Sequence, residues 1–389
     1  MNYVLFDGQH HQKLKPLTLT RPVADLRVGI FKIQDKWKKI LDQEVGVRSK
    51  DYLASKFNSN SGEVLYGISG ALCPNEELCD AIHSLKDKTI MMKDGNVLAI
   101  KPLPKEEDLE RELEKYKVVE YTEVVNLIDR PMDIFLMNGK EILNDLSFID
   151  TESIRSTEYG AGNLLLGDSV FIEEGAEING ATLNSTTGPI YIGKGVEIME
   201  GSNIRGPFAI LDDSILKMGA KVYGPTTIGP QCKVGGEVSN VVFQGYANKA
   251  HDGFAGNTVV GYWCNMGADT NTSNLKNNYG EVKSWSYATE EYEPTGTQYC
   301  GLIMGDHSKS SINTMFNTGT VIGAFVNVFD SGFPPKFIPS FSWGSKAGFE
   351  TYDFDKAMEV AGVVMQRRGV ELDDVSKAIY KAIFNQKTK

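Results

Sequence analysis

Cysteine, histidine and long apolar runs are all scarce in this sequence. Its five cysteines, Cys73, Cys79, Cys232, Cys264 and Cys300, are scattered over 389 residues without paired metal-ligand spacing. That pattern argues against a disulfide framework or a cysteine-based zinc module and predicts a reducing, cytoplasmic setting. No stretch approaches the apolar length that spans a bilayer, and residues 1–13 are too polar for a secretory signal. Cations are outnumbered, with 40 Lys and Arg against 51 Asp and Glu and a formal net charge of −11. This excess of acid disfavours nucleic acid and anionic membranes as partners. A small anionic substrate needs only a local cluster of cations and stays open.

Aliphatic residues recur every six positions over 166–234. Leu166, Ile172 and Ile178 begin the pattern. After a slip it resumes at Ile192, Ile198, Ile204, Ile210, Leu216, Val222, Ile228 and Val234, often followed directly by glycine, as at Gly193, Gly229 and Gly235. A period of six is neither helical nor a simple strand alternation. It is the hexapeptide signature of a left-handed parallel β-helix, in which three rungs make one coil and each aliphatic residue points inward. The same phase is predicted to continue through Val242, Phe254, Val260 and Met266, with Asn248 as a polar exception. It returns at Met304, Phe316, Ile322 and Val328, with Ser310 between. Residues 270–297, rich in Asn, Gly and Tyr, read as a long loop thrown out of the coil.

The first 158 residues read as an α/β domain. An apolar strand over residues 3–6 ends at Asp7 and Gly8, a loop follows, and residues 26–41 are predicted helical. Strand, loop and helix in that order are a common opening for a nucleotide-binding domain. The cations available for phosphate are Lys13, Lys15, Arg21 and Arg27. Further strands are expected at 64–67, 90–92 and 97–100, with helices at 75–85 and 104–116. The coil is expected over 159–332 and a tail with two helices over 333–389. The Pro- and aromatic-rich segment 332–343 is not expected to continue the coil, and the tail is expected to cap it.

Among five histidines, His251 lies between rungs, beside Lys249 and ahead of the long loop. An imidazole titrating near neutrality can accept a proton from an attacking amine or hydroxyl. His251 is followed by Gly256, Gly261, Asn265, Gly267 and Ala268. This spacing resembles the H-x4-G-x4-G-x3-N-x-G-A-G-T pattern of the bifunctional glucosamine-1-phosphate N-acetyltransferase/N-acetylglucosamine-1-phosphate uridylyltransferase family. The resemblance implies His251 as general base and acetyl-CoA as co-substrate. It also implies Lys249, Phe254, Asn265, Ala268, Asn274 and Lys276 as residues of the sugar and acetyl-CoA site, and a homotrimer. Asp269 stands where the motif has its second Gly, Phe254 where a Tyr is expected, and Ile312 near an expected Ser.

At the amino end, Leu14-Lys15-Pro16-Leu17-Thr18 with Arg21-Pro22 is similar to the L-x-P-L-T segment of sugar-phosphate nucleotidyltransferases. Lys13, Lys15 and Arg21 are then the nucleotide or phosphate contacts. Asp7, Asp133 and Asp145 are candidates for Mg²⁺, which in that family assists attack of a sugar 1-phosphate on an NTP. Ile68-Ser69 stands where the family's metal-binding aspartate is expected, and the glycine-rich loop is missing. Three other readings remain open: nucleotidyl transfer alone with the coil serving assembly, a trimeric sugar-nucleotide-binding scaffold, and a β-helical carbonic anhydrase. The last needs three zinc-binding histidines, where the coil offers only His251 and His307.

Overall fold

The structure, a computed structural model, describes residues 2–59, 64–105, 111–112, 114–156, 159–160, 162–329 and 331–387. It consists of an α/β domain, a left-handed parallel β-helix and a helical tail. In the α/β domain, β1 (Tyr3–Phe6) lies between β2 (Gly46–Arg48) and β3 (Tyr66–Ser69), all parallel. The sheet continues through β6 (Asn96–Lys101), β5 (Thr89–Lys93) and β7 (Lys117–Glu120), giving the order β2-β1-β3-β6-β5-β7. Because β2 and β3 flank β1 on opposite sides, the strand order reverses at β1. That is where open α/β sheets form a crevice at their carboxyl ends. The small β4 (Leu72–Cys73) and β8 (Asn126–Leu127) pair separately.

The helices here are α1 (His10–Lys13), α2 (Ile33–Leu41), α3 (Asp51–Phe57), α4 (Glu76–His83) and α5 (Asp133–Leu146). The helix expected over 26–41 therefore starts only at Ile33. Arg27 and Lys32 form a β-bridge across the intervening turn, and Gly29 there holds φ +75°, which breaks a helix. The helix expected over 104–116 lies partly outside the described residues.

Each coil of the β-helix places one inward side chain on each of three faces. One inward column runs Ile172, Ile192, Ile210, Ile228, Phe243, Val260, Met304, Ile322 and Ile338. A second runs Ile178, Ile198, Leu216, Val234 and Lys249, then Met266, Ser310 and Val328. The third runs Leu165, Leu183, Ile204, Val222, Val238, Ala255, Thr272 and Phe316. Most of these side chains form one buried cluster. Full burial of each aliphatic one contributes about 1.5–3 kcal/mol.

Four sequence expectations are off by one residue. Leu165, not Leu166, faces inward, and Leu166 is 37 % exposed. Phe243, Lys249 and Ala255 take the inward positions assigned to Val242, Asn248 and Phe254. For the last three the cause is coil length. From Ile192 to Ile228 the coils keep a constant step, but Ile228 to Phe243 is shorter, and one residue of shift moves a side chain to the other face.

The N-terminal domain covers the first face. Helix α5 lies along it, with Ile142 against Phe171, Tyr191 and Ala209, while Phe135 joins Val242, Val259, Ile303 and Val321 in another cluster. Strands buried on both sides read as continuous apolar runs, which is why Val242 looked inward. The segment 332–343 does continue the coil. Phe337–Ile338 pairs with Val321 and Ile322, and Ser342–Ser345 pairs with Asn327 and Val328. Pro334, Pro335 and Pro339 fall outside these strands, where no ladder N–H is needed. The hairpin partner Gly348–Thr351 then closes the edge.

At one corner, Tyr246, Trp263, His307, Phe325 and Phe341 all hold φ between +52° and +62°. Each such non-glycine residue costs about 1–2 kcal/mol. Their rings stack along the coil, with centroid separations of 4.2 Å for Tyr246–Trp263, 4.5 Å for His307–Phe325 and 4.7 Å for Phe325–Phe341. Helices α6 (Phe354–Gln366) and α7 (Asp374–Lys387) pack over this column, with Met358, Ile379 and Tyr380 in its cluster and Met365 against Trp263. The tail thus flanks the coil as well as capping it. Replacing Ile204 or Ile210, both essentially inaccessible, by Asp buries an unpaired charge, a penalty of the same order as the ~5–15 kcal/mol stability of a domain. Loss of the cooperative thermal transition, or insolubility, is expected; a soluble variant melting like the parent would contradict the inward assignment.

Candidate functional sites

The first site is the crevice at the carboxyl ends of β1, β2 and β3. Asp7 follows β1 and is 3 % exposed. Its Oδ1 accepts the Val23 N–H at 2.8 Å, while Oδ2 has no partner among the described residues. Burial pushes its carboxyl up to about 7, with Lys50 opposing. His11 is driven down to about 3 by burial and by Lys15 and Lys50. Tyr52 Oη stands 3.2 Å from His11 Nε2 and feels the Asp7 charge, which adds to burial in raising its pKa. Gly70, next to the end of β3, leaves room where a Cβ would meet Ala24 N at 3.2 Å. Lys15 is half-buried, its pKa lowered by burial and then by Lys50. A buried carboxylate and two lysines at a strand-order reversal can receive a polar, phosphorylated ligand.

The other N-terminal candidates are engaged elsewhere. Lys13 Nζ donates to Asp129 Oδ1 at 2.7 Å, and His10 Nε2 lies 3.2 Å from the same oxygen. Arg21 leaves the crevice for the coil, pairing with Asp25 at 2.7 Å and Asp306 at 2.5 Å over the Tyr262 ring. Arg27 is tied to Gln244, its backbone N–H donating to Gln244 Oε1 at 2.7 Å. Both arginines join the domain to the coil and are not free for a phosphate.

The three carboxylates proposed for Mg²⁺ do not converge. Asp133 Oδ2 accepts the backbone N–H groups of Asp129 and Arg130 at 3.0 and 2.7 Å, ordering the entry to α5. Asp145 pairs with buried Lys36 at 2.7 Å and accepts from Ile30 and Phe31 N–H, with Glu141 completing the triad at 2.6 Å from Lys36. Among the described residues no group of three His, Cys, Asp or Glu is placed to hold a metal ion. Asp7, Asp133 and Asp145 therefore do not form one Mg²⁺ site together.

The second site is the coil corner at His251. Its ring is exposed, and no described residue hydrogen-bonds it. The adjoining turns of the next two coils stack on this corner, the Asp269 N–H donating to Asp252 O at 3.0 Å and the Asn313 N–H to Ala268 O at 2.9 Å. Gly253, at φ +111°, fits because a Cβ there would meet Thr270 O at 2.4 Å. Lys249 does not project beside His251. It points into the lumen, 1 % exposed, between Val234 and Met266. There Nζ donates to the carbonyls of Gly235 at 3.1 Å and His251 at 3.0 Å. Burial lowers its pKa to about 8, against the pull of Asp252 and Asp269. Lys249 supports the His251 corner from behind and offers no charge to an outside phosphate.

Asn265 is exposed and Ala268 half-buried on the coil above. Phe254 edges a shallow cavity of about 220 Å³ with Ser273, Met315 and Phe333. Asn274 Nδ2 donates to Asn257 Oδ1 at 2.8 Å, and Lys276 Nζ donates to Glu281 O. The long excursion between Asn271–Thr272 and Leu302–Met304 carries an antiparallel hairpin, Lys283–Ser286 with Glu291–Pro294. It docks on both the coil and the α/β domain: Trp285 stacks on Phe337 of the coil at 4.3 Å, while Gln12 Nε2 donates to Tyr287 O at 2.6 Å and Arg130 to Thr295 O at 3.1 Å. Sequence reading missed Lys50, Tyr52, Gln244 and Asp306. Only the adjacent His10 and His11, in a chain with few histidines, offered a signal for the crevice.

A family model described as sugar nucleotidyl transferase matches residues 3–154, the α/β part. No curated protein matches. Among solved structures, the polysialic-acid-specific acetyltransferase NeuO is similar with a TM-score of 0.25 and 9 % identity, covering 49 % of this chain and 81 % of that one. An Arabidopsis UDP-N-acetylglucosamine acyltransferase gives 0.24 and 10 %, covering 52 % and 79 %. A perosamine N-acetyltransferase mutant from Caulobacter crescentus, in complex with CoA and GDP-perosamine, gives 0.14 and 10 %, covering 90 % and 96 %. No helix among the described residues is long and apolar enough to cross a membrane.

The raised carboxyl of Asp7 has a consequence for stability. Unfolded, it ionises near 3.8; folded, near 7. The folded form holds its proton longer, so the penalty is absent below about pH 4, grows as pH rises, and is complete above about 7, where it reaches on the order of 4 kcal/mol. Asp7→Asn is expected to raise the melting temperature at pH 8 and to change it little at pH 4. Equal shifts at both pH values would refute a buried, proton-holding Asp7.

Proposed function

We propose that this chain is a sugar-phosphate transferase in which the β-helix transfers the acetyl group of acetyl-CoA to an amino sugar 1-phosphate. The observation that carries this reading is His251, an exposed and unengaged imidazole at a coil corner whose backbone is held from inside by Lys249. Its ring accepts a proton from the sugar amine as the amine attacks the thioester carbonyl. The new C–N bond forms, the C–S bond breaks, and the proton passes to the departing CoA thiolate. Asn265, Ala268 and Phe254 are assigned to sugar or acyl contact on the likeness of the motif. Asn274 and Lys276, already engaged with Asn257 and Glu281, would contribute through the shape of the loop. The likeness of the motif to amino-sugar acetyltransferases supports the substrate class.

Homotrimer assembly belongs to this reading. The third face of the coil is not covered by the N-terminal domain, and it exposes Leu164 (52 %), Tyr223 (47 %) and Met315 (38 %). Such apolar exposure along one ladder suits a second copy of the chain. A second reading, nucleotidyl transfer to make an NDP-sugar in the α/β domain, is favoured by the Asp7 crevice and by the family match over residues 3–154. Lys15 and Lys50 would hold phosphate there. No step is assigned to a metal, since the carboxylates do not converge. If only this activity is present, the coil serves assembly.

A paired assay separates the two readings. Acetyl-CoA with glucosamine 1-phosphate is followed by thiol release, and UTP or dTTP with a sugar 1-phosphate and Mg²⁺ by pyrophosphate release. Thiol release is expected, and His251→Ala should reduce it by roughly 10²–10⁴-fold. Full acetylation by that variant would sink the base assignment. Pyrophosphate without thiol would replace the first reading by the second.

A further inference from the structure

A groove that adjoins the His251 site through Asn265 and lies apart from the crevice runs between the coil and the end of α6. Its floor is the outward side of the second face, where Lys233, Asn248, Asn265 and Lys309 stand on successive paired strands. At a strand spacing of about 4.8 Å, the two lysines are roughly 14 Å apart with two amides between them. The opposite wall brings Arg367 and Arg368, and the cavity measures about 390 Å³, within the range of small-molecule sites. Arg368 Nη2 donates to Asn248 Oδ1 at 3.0 Å, which aims the guanidinium along the ladder. Lys309 is largely buried, and its ammonium donates to His307 O at 3.0 Å.

None of the four cations has a carboxylate partner among the described residues, in a chain where acids outnumber bases by 51 to 40. Burial and the neighbouring Arg368, Lys217 and Arg367 all act against the charge on Lys233, with Glu197 a weaker opposing influence. Uncompensated cations packed at this density cost stability unless an anion joins them. At one end of the groove, Tyr246 and Trp263 present a stacked aromatic wall beside Val364.

We propose that this groove binds a nucleoside diphosphate group, with the diphosphate on Lys233, Arg367 and Arg368 and the nucleoside toward Tyr246 and Trp263. CoA and an NDP-sugar both carry that group, so either can be its source. Binding in the groove is measured without turnover, so it is tested separately from catalysis at His251.

The test uses the full-length protein and its His251→Ala variant. Tryptophan fluorescence, with a Trp263→Phe variant subtracted to isolate the Trp263 signal from the other three tryptophans, and calorimetry are followed on titration with ADP, CoA and UDP-N-acetylglucosamine. ADP is expected to bind both proteins equally. Tighter binding of CoA than of UDP-N-acetylglucosamine identifies CoA as the source, and the reverse order identifies the NDP-sugar. Lys233→Gln with Arg367→Gln should weaken binding on the order of tenfold per cation, whereas Lys233→Arg with Arg367→Lys should retain it. Lys15→Gln in the crevice should leave the Trp263 signal unchanged. No Trp263 response to any of the three ligands, or equal affinity in the double Gln variant, overturns the proposal.

Discussion

The contact of Arg21 with Asp306 joins the two halves of this molecule, and much of the rest depends on it. Asp306 belongs to a coil corner, where its Oδ1 accepts the Tyr262 N–H at 2.8 Å and its Oδ2 accepts from Thr20 at 2.6 Å and from Arg21 at 2.5 Å. Arg21 is clamped from the other side by Asp25, which also takes Lys32 at 2.6 Å. A buried pair of this kind adds little net stability over an apolar contact, but it tolerates few alternative geometries. It therefore fixes where the α/β sheet sits on the coil. With Gln244 gripping Arg27 and Asn138 accepting from Thr227 at 3.0 Å, the sheet, α5 and the first face form one packed body. The segment that resembles a nucleotide-binding loop is thus largely an interdomain clasp, and only its first part, around Lys15, borders the crevice.

That division explains what could be read from the sequence. The coil was legible because a prism one side chain wide accepts one inward residue per strand, and that requirement repeats in the chain as a period of six. His251 was legible because it interrupts the period with a titratable group. Register after Ile228 was not, because shortened coils shift phase without leaving a local mark. Nor was the lumenal place of Lys249: a lysine following asparagine in a polar stretch looks like a surface residue until its neighbours Val234 and Met266 are known to face inward. The proline-rich segment misled for a related reason. Proline excludes a ladder position but not a corner, and the corners are not visible until the rungs are counted.

The aromatic corner shows a rule the pattern did not reveal. The same corner carries Gly175, Gly195, Asp213 and Gln231 in the earlier coils, all with positive φ. Glycine takes that conformation freely and Asp at modest cost. Once the tail helices cover the corner, stacked rings offset the strain, because each aromatic pair contributes about 0.5–1.5 kcal/mol beyond its burial. The change from glycine to aromatic residues thus marks where α6 and α7 dock. The carboxylates of α5 followed an equally local logic: Asp133 meets the orphan N–H groups before the helix, and Asp145 neutralises Lys36. An acidic residue in a nucleotidyltransferase-like domain has structural uses as common as metal binding, and sequence does not separate them.

Charge placement ties the sites together. A chain of net charge −11 repels phosphorylated molecules over most of its surface, so an anionic ligand is drawn only to places where cations stand unmatched. Several basic groups are matched by carboxylates, Lys36 by two, Arg21 by two more and Lys13 by Asp129, and the buried Arg27 and Lys249 are bonded to carbonyl oxygens instead. The exceptions are few and local. Lys15 and Lys50 face a single carboxyl whose ionisation burial holds back, so acid does not balance them in the crevice. Lys233, Lys309, Arg367 and Arg368 face none. Low-dielectric walls focus the field of such clusters into the clefts they line, raising local substrate concentration where a uniform surface would not. The exposed corner of His251 has no such cluster, because Lys249 turned inward. On the acyl-transfer reading, the phosphate of its substrate must then be held by groups other than the lysine beside it in sequence.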